Sequence, residues 1–507
     1  MDSGLFRSAA SRRLVWQWLT GPHAIVAVFA VVTAIELLHH EMWLDELNPW
    51  VIARDARSLH DLVYNMRFEP HPRLWYACLY VLTRMTRNPV AMQVLHGAIA
   101  CASVALLAYR SPFRSREVWL LAFGYYLVFE YAAISRGYAL GILLALTVCA
   151  LASASRLRVV IIASLLALLS NASAFGLTLA CALAVALVPL TRVCERRAVA
   201  LACAILTIGV GLSMWTLEPS PDNVFGRDRH TTLSTMELDR VGSLLGTAYV
   251  PLPNFTSVSP WNSSLLITGG RRIPRVGHFT ALATGSLFFV LALVHLRRRP
   301  ALIAAFAAGT MMMLALMYVE YSGGYRHHGH LFVLLVLMLW LGAIRVGADL
   351  PRRAPYWFTA VLIAQAAAGV YFVSLDYVRP FSASRDLAQF FADRPGQIPI
   401  VVAQPHFLSY AGPPLSGYLQ RKVYYAMPGG VVRGSYLWYD EVHGGGAPDE
   451  TIVTEIAQFA KELGTDVYVV VNHWDAPALG TRLTDLPQNL IEGDERTTAV
   501  YLFKRPG

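Results

Sequence analysis

Residues 21–46 read GPHAIVAVFAVVTAIELLHHEMWLDE, a long apolar run that ends in two carboxylates. Its first part, residues 21–38, is apolar enough to cross a bilayer core of about 30 Å as one helix. Three arginines lie between residues 7 and 13, and no small-residue cleavage site follows the apolar run. We therefore predict a retained first membrane helix whose amino end is cytoplasmic.

The composition extends this prediction to the whole chain. Of the 507 residues, 55% are hydrophobic and 15% are charged, and the mean hydropathy is +0.45. These values exclude an ordinary soluble protein. The net charge of +9 does not indicate nucleic-acid binding, because the basic residues separate apolar runs instead of covering one polar face. The abundance of Arg and Ala favours a bacterial source and hence the bacterial inner membrane.

Basic clusters mark the cytoplasmic loops, and each pair of clusters must be separated by an even number of crossings. The apolar run 74–82 is too short to span and would break this parity, so we predict an interfacial helix there. Eleven crossings remain, which place the carboxyl end outside. They are predicted at residues 21–38, 91–109, 117–134, 138–155, 159–173, 175–190, 198–216, 277–296, 301–319, 329–346 and 355–375.

The tail differs in composition from everything before it. Residues 398–403 and 466–471 have the pattern of buried strands, and 449–463 that of an amphipathic helix. The predicted architecture is a polytopic α-helical membrane domain over residues 1–375, followed by a small periplasmic α/β domain over 376–507.

An acidic pair, Asp45 and Glu46, follows the first helix at the predicted outer surface. Two adjacent carboxylates at a membrane interface are costly, and this cost favours a chemical use. Solvated acids in a surface loop are the alternative interpretation.

The residues around this pair carry a family resemblance. A first helix that ends in Asp-Glu, an alanine eight residues later, and the segment EPHPRLWY at 69–76 resemble the GT-C glycosyltransferases that use polyprenyl-phosphate sugars. The bacterial branch related to protein mannosyltransferases and aminoarabinose transferases is most similar. The resemblance covers residues 21 to about 140 by motif and the later spans by topology. The chain departs from it at Pro72-Arg73, where the family more often has two prolines.

The resemblance implies that Asp45 is the base that activates the acceptor, with Glu46 beside it. The chemistry agrees, because a positioned carboxylate that removes the proton of an attacking hydroxyl contributes about 10²- to 10⁴-fold to the rate. One carboxylate suffices for a single displacement, since a lipid phosphate is a competent leaving group that needs charge stabilisation. We therefore predict inversion at the anomeric carbon. His71, in the 69–76 segment, is a candidate for the acceptor or a metal.

A second polar corner lies where the third predicted crossing turns into the fourth. Glu130, Arg136 and Tyr138 are on the same side as Asp45. In one interpretation Arg136 binds the donor phosphate, while Glu130 and Tyr138 contact the acceptor or a divalent cation. In the other, Glu130 and Arg136 pair to lower the cost of lying near lipid. The family often has Asp at the position of Glu130, so no metal is assigned there.

A third polar corner precedes the tenth predicted crossing and contains Arg326 and His327. Arginine binds phosphate oxygens through two donors and keeps its charge, so Arg326 is predicted to hold the donor phosphate, assisted by His327. The resemblance implies the same role. A zinc site and a membrane-interface anchor are the alternatives.

These corners predict a glycosyltransferase, of the hexosyl or pentosyl type, that moves a sugar from a polyprenyl-phosphate carrier to an acceptor hydroxyl on the periplasmic face. The acceptor is a glycolipid, a polysaccharide or a protein. The basic loop 217–276 would suit an anionic acceptor, or is a solvated surface. A lipid transporter and a non-catalytic assembly subunit are the competing functions. The apolar centres of the spans argue against the transporter.

Overall fold

Apolar runs form helices throughout the first three quarters of the chain. Strands and helices follow together in the last quarter. The architecture comes from a computed structural model, which describes residues 21–67, 69, 71–154, 156–218, 235–255, 257, 260–261, 263–268, 274–319, 323–344, 355–394, 398–403, 411–427, 429–436, 449–472, 477–486, 489–490 and 498–506.

The helices up to residue 378 pack around two buried apolar cores, a large one and a smaller one drawn mostly from residues 42–99, and further helices follow in the tail. In the described chain they are α1 (Pro22–His39), α2 (Leu44–Asp55), α3 (Leu59–Asn65), α4 (Leu74–Met85), α5 (Val90–Arg110), α6 (Ser115–Ala122), α7 (Gly137–Ala152), α8 (Val159–Ser170), α9 (Ala174–Thr191), α10 (Arg196–Leu217), α11 (Thr235–Tyr249), α12 (Leu265–Thr268), α13 (Pro274–Leu296), α14 (Pro300–Val319), α15 (Tyr325–Gly342), α16 (Tyr356–Val378), α17 (Ser384–Ala392), α18 (Gly412–Tyr418) and α19 (Asp449–Leu463).

Seven of the described helices are long and apolar enough to cross a membrane, namely α1, α5, α9, α10, α14, α16 and residues 277–296 of α13. The protein is therefore a polytopic helical membrane protein. The fourth and fifth predicted crossings coincide with the shorter apolar helices α7 and α8. The short run that begins at Leu74 forms the separate helix α4, as predicted.

The third predicted crossing, 117–134, is wrong as a continuous helix. The α-helix α6 ends at Ala122, and a π-helical turn, Tyr126–Glu130, replaces the expected continuation. Gly369 of α16 packs onto this break, where an added Cβ would collide with the carbonyl oxygen of Phe123. Helix α16 thus packs closely against an irregular, buried turn at the position where a straight membrane-spanning helix was predicted.

The predicted strands and helix of the tail are confirmed. The six-stranded sheet has the order β3-β2-β1-β4-β6-β5, in which β1 is parallel to both β2 and β4 and the other pairs are antiparallel. Helix α19 covers one face of the sheet, and α17 and α18 cover the other. The strands are β1 (Ile400–Ala403), β2 (Val423–Met427), β3 (Gly430–Gly434), β4 (Val467–Asn472), β5 (Thr481–Asp485) and β6 (Thr498–Phe503).

The sheet domain is fastened to the loop that follows α1. The guanidinium of Arg385 donates hydrogen bonds to the carbonyl oxygens of Leu38, His39 and His40 at 3.3, 3.2 and 2.8 Å. These carbonyls lie at the carboxyl end of α1, where the last backbone acceptors of a helix otherwise lack partners. The domain therefore closes the end of the first membrane helix and borders the acidic pair.

Candidate active site

Asp45 is the second residue of α2, and the extended residue Trp43 immediately precedes the helix. The side chain of Asp45 is 26% exposed, whereas Glu46 beside it is completely buried. A carboxylate in a first helical turn is favoured by the exposed backbone N–H groups there. Asp45 thus presents its carboxylate to the outside of the bundle from a defined helix end.

Two arginines from distant parts of the chain converge on this carboxylate. Nη2 of Arg326 lies 2.8 Å from Oδ2 of Asp45, and Nη1 of Arg136 lies 3.4 Å from the same oxygen. Arg136 also donates to the backbone carbonyl of Asp45. Both guanidiniums are about nine-tenths buried. The structure therefore brings together three residues that the sequence placed at three separate corners.

The position of Arg326 differs from the sequence prediction in one respect. The predicted crossing began at residue 329 and left Arg326 in the segment before it, but α15 begins at Tyr325. Gly323 has a φ of +72° and Gly324 precedes the helix, so the chain turns sharply into it. Hydropathy misplaced the boundary because the polar residues of this first turn are buried by protein.

The two cations determine the ionisation of the acid. Burial opposes the charged form of Asp45, but Arg136 and Arg326 outweigh this effect, and the pKa of Asp45 falls below its usual value. His71 accepts from Nη2 of Arg136 at 3.3 Å. Burial and the adjacent Arg136 lower the pKa of His71 to about 3, so His71 is neutral at physiological pH and orients Arg136.

Two indole rings hold Arg326 in place. Its guanidinium carbon lies 5.4 Å from the ring centroid of Trp43 and 5.5 Å from that of Trp261. Such cation–π contacts fix the plane of a guanidinium. Within the described residues, Nε of Arg326 is buried without a hydrogen-bond acceptor. Sequence reasoning did not identify Trp261, because nothing in its neighbourhood connects it with residue 326.

Glu46 serves the architecture of this corner. Its carboxylate accepts from the backbone N–H of Ser135 at 2.7 Å, from that of Trp43 at 3.2 Å, and from Nε2 of His40 at 3.2 Å. Nδ1 of His40 lies 3.0 Å from Asp376. Burial opposes the charge of His40, but Asp376 and Glu46 raise its pKa well above the usual value. Glu46 is therefore a positioning residue behind Asp45 and does not face the open side.

Replacing Glu46 by Gln is expected to destabilise the protein by about 1–3 kcal/mol, because the amide nitrogen cannot accept from a buried N–H that loses its partner. Thermal unfolding in detergent measures this effect. The matched control is Glu450→Gln on α19, where the side chain is exposed. An unfolding temperature of the Glu46 variant equal to that of the control would show that these buried bonds contribute nothing.

Three further residues predicted for the site, Glu130, Tyr138 and His327, contact other side chains around the Asp45 cluster. Glu130 accepts from Tyr125 and, at 3.1 Å, from the indole N–H of Trp261. Glu130 does not pair with Arg136, contrary to one interpretation of the sequence, because Arg136 forms its ion pair with Asp45. Glu130 thus fixes the ring that packs on Arg326.

His327 and Tyr138 contact each other. Nε2 of His327 lies 3.0 Å from the hydroxyl of Tyr138, and Nδ1 of His327 accepts from the backbone N–H of Gly324 at 3.0 Å. Both ring nitrogens are therefore engaged away from Asp45. Among the described residues, no group of three or more His, Cys, Asp or Glu side chains could hold a metal ion. The arginines of the basic loop at 227, 229, 271 and 272 lie outside the described residues.

Comparison with known proteins gives a likeness to a solved structure. No family model matches the chain, and no curated protein matches it by sequence. Among solved structures it is similar to the crystal structure of ArnT from Cupriavidus metallidurans bound to undecaprenyl phosphate, with a TM-score of 0.49 and 12% identity, over 94% of this chain and 97% of that chain. ArnT is a GT-C glycosyltransferase. At this level of similarity no residue role is transferred from it.

Proposed function

We propose that the protein is a GT-C-type glycosyltransferase that moves a hexosyl or pentosyl group from a polyprenyl-phosphate carrier to an acceptor hydroxyl. The observation that carries the proposal is the convergence of Arg136 and Arg326 on one oxygen of Asp45. The two guanidiniums lie side by side at one partly exposed carboxylate, where an anionic group could approach both of them. A phosphate on a membrane-held lipid fits this arrangement, since its tail can stay in the bilayer.

The residues divide the reaction between them. The acceptor oxygen attacks the anomeric carbon while its proton passes to Asp45. The bond from that carbon to the phosphate oxygen breaks, and its electron pair leaves with the polyprenyl phosphate. Arg136 and Arg326 stabilise the charge that develops on the phosphate. A single displacement of this kind inverts the anomeric configuration.

The reaction is placed on the periplasmic face of the bacterial inner membrane, with the amino end cytoplasmic and the tail domain periplasmic. The positive-inside distribution of the basic clusters supports this orientation. The acceptor is a glycolipid, a polysaccharide or a protein.

The decisive experiment is a transfer assay with the purified protein in lipid nanodiscs. A panel of polyprenyl-phosphate sugars serves as donors, and a bacterial envelope extract serves as acceptor. We expect release of polyprenyl phosphate that depends on both donor and acceptor, and a product of inverted configuration. Retention of configuration would contradict the single displacement, and absence of transfer from every donor would contradict the proposed function.

The pH dependence tests the role of Arg136. Protonated Asp45 cannot act as a base, so activity is lost as the pH falls through the pKa of Asp45, which lies below the usual aspartate value. Arg136→Gln removes one of the two opposing cations and leaves the burial, so the pKa of Asp45 rises. The acidic limb of the kcat/KM profile is therefore expected to move to higher pH. The control Arg394→Gln should leave the limb in place; an unmoved limb in the Arg136 variant would contradict the electrostatic role.

A further inference from the structure

A second polar site lies between the membrane domain and the sheet domain. It is a cleft of about 480 Å³, within the range of small-molecule binding sites. Its walls come from the segment that joins α2 to α3 and from the region of β2 and β3. The principal side chains that line this interdomain cleft are Asp55, Arg57, Asp61, Lys422, Arg433 and Ser435.

The inner wall of the cleft is built by bonds between the two domains. The guanidinium of Arg54, only 2% exposed, lies 2.7 Å from Asp55. It also donates to the carbonyl oxygen of Ser416 at 2.7 Å and to the hydroxyl of Ser435 at 3.1 Å. Ser435 in turn donates to Asp55. These buried bonds hold the two walls in a fixed relation, so the cleft is a part of the folded structure.

The charges of the cleft favour an anion. Asp55 is already neutralised by Arg54, and Asp61 accepts the backbone N–H of Arg57 at 2.8 Å. Within the part of the chain that the structure describes, the exposed cations Arg57, Lys422 and Arg433 form no salt bridge. Apart from Asp55, the lining of the cleft therefore contains three cations and one carboxylate, Asp61.

The cleft also suits a molecule rich in hydroxyl groups. Asp61 can accept hydroxyl donors, the hydroxyls of Ser58 and Ser435 line the wall, and Tyr436 adds an aromatic ring. A mostly polar lining argues against an apolar ligand, and the size argues against a folded protein partner. Asp55 and Asp45 lie ten residues apart on α2, which corresponds to roughly 15 Å along the helix.

We propose that this cleft binds the acceptor through an anionic sugar unit. This inference rests on the proposed function, and it names the acceptor class as an anionic glycan. The carboxylate or phosphate of the sugar contacts Lys422, Arg433 and Arg57, while its hydroxyl groups contact Asp61 and the serines.

The test measures binding to the full chain in nanodiscs with defined probes. A hyaluronan tetrasaccharide, which carries carboxylates, is compared with neutral maltotetraose and with inorganic phosphate. We expect the hyaluronan fragment to bind at least about tenfold more tightly than either control, because charged hydrogen bonds add to those of the hydroxyls. Equal binding of maltotetraose would overturn the anionic assignment. Equal binding of phosphate would overturn the glycan assignment.

Charge reversal locates the site. Lys422→Glu and Arg433→Glu are each expected to weaken binding of the hyaluronan fragment by about tenfold or more, whereas Lys461→Glu, on the exposed side of α19, should leave it unchanged. Unchanged binding in both cleft variants, with unfolding temperatures at the wild-type level, would overturn the proposal. Binding of undecaprenyl phosphate is measured on the same samples. Its insensitivity to Arg326→Ala would contradict the proposed function alone, because the hyaluronan result is independent of the donor site.

Discussion

Replacing Asp45 by Asn is expected to lower the rate of sugar transfer by about 10²- to 10⁴-fold, which is the usual contribution of a positioned general base. The amide has the size of the carboxylate but cannot take up the acceptor proton. The single-turnover rate with a polyprenyl-phosphate sugar and saturating acceptor measures this loss directly.

Donor binding should respond to the same change in the opposite direction. Asp45 occupies Nη2 of Arg326 and competes with the phosphate for both guanidiniums. Without the charge of Asp45, both guanidiniums are available to the donor phosphate. The dissociation constant of undecaprenyl phosphate is therefore expected to fall. Asp386→Asn on α17, an exposed acid, is the matched control. A wild-type transfer rate in the Asp45 variant would remove this residue from the chemistry, and weakened donor binding would assign it to the donor instead.

Replacing Arg326 by Ala is expected to weaken donor binding by about 10- to 100-fold, because hydrogen bonds to charged groups contribute about 1.5–3 kcal/mol. The transfer rate at saturating donor should fall as well, since the departing phosphate loses one of its two cations. Titration with undecaprenyl phosphate and the rate at saturation separate the two effects.

Two controls make this result specific. Arg326→Lys keeps the charge but loses the planar pair of donors, so an intermediate affinity is expected. Arg394→Ala removes a guanidinium that packs on Phe390 far from Asp45 in sequence and should leave donor binding unchanged. Donor affinity that is equal in all three proteins would exclude Arg326 from the phosphate site.

The residues that meet at Asp45 could be singled out from the sequence because each of them has a local signature. An apolar run followed by Asp45 and Glu46 marks a helix end, and an arginine beside glycines marks a polar corner at a membrane boundary. Parity of the basic clusters placed all three corners on one side. The strands of the tail were predictable because continuous short apolar runs between turn residues are typical of buried strands.

What the sequence did not predict depends on contacts between distant residues. The run 117–134 is apolar throughout, so hydropathy could not show that α16 would pack on a break at its centre. The roles of Glu46 and Trp261 likewise depend on partners far along the chain, such as Ser135 and Arg326. Local patterns singled out the charged groups that the structure brings together, whereas their orientation depends on tertiary packing.

The bonds of Arg54 have a consequence for biosynthesis. Its partner Ser416 lies 362 positions later in the chain, so at roughly 5–20 residues per second about 20–70 s of translation separate the two. During this interval the nascent membrane domain already contains Asp45, but the wall that will hold α2 has not yet been made. A ribosome that stops early therefore releases a chain in which Arg54 keeps Asp55 but lacks Ser416 and Ser435, so the wall behind α2 is completed only when synthesis is nearly finished.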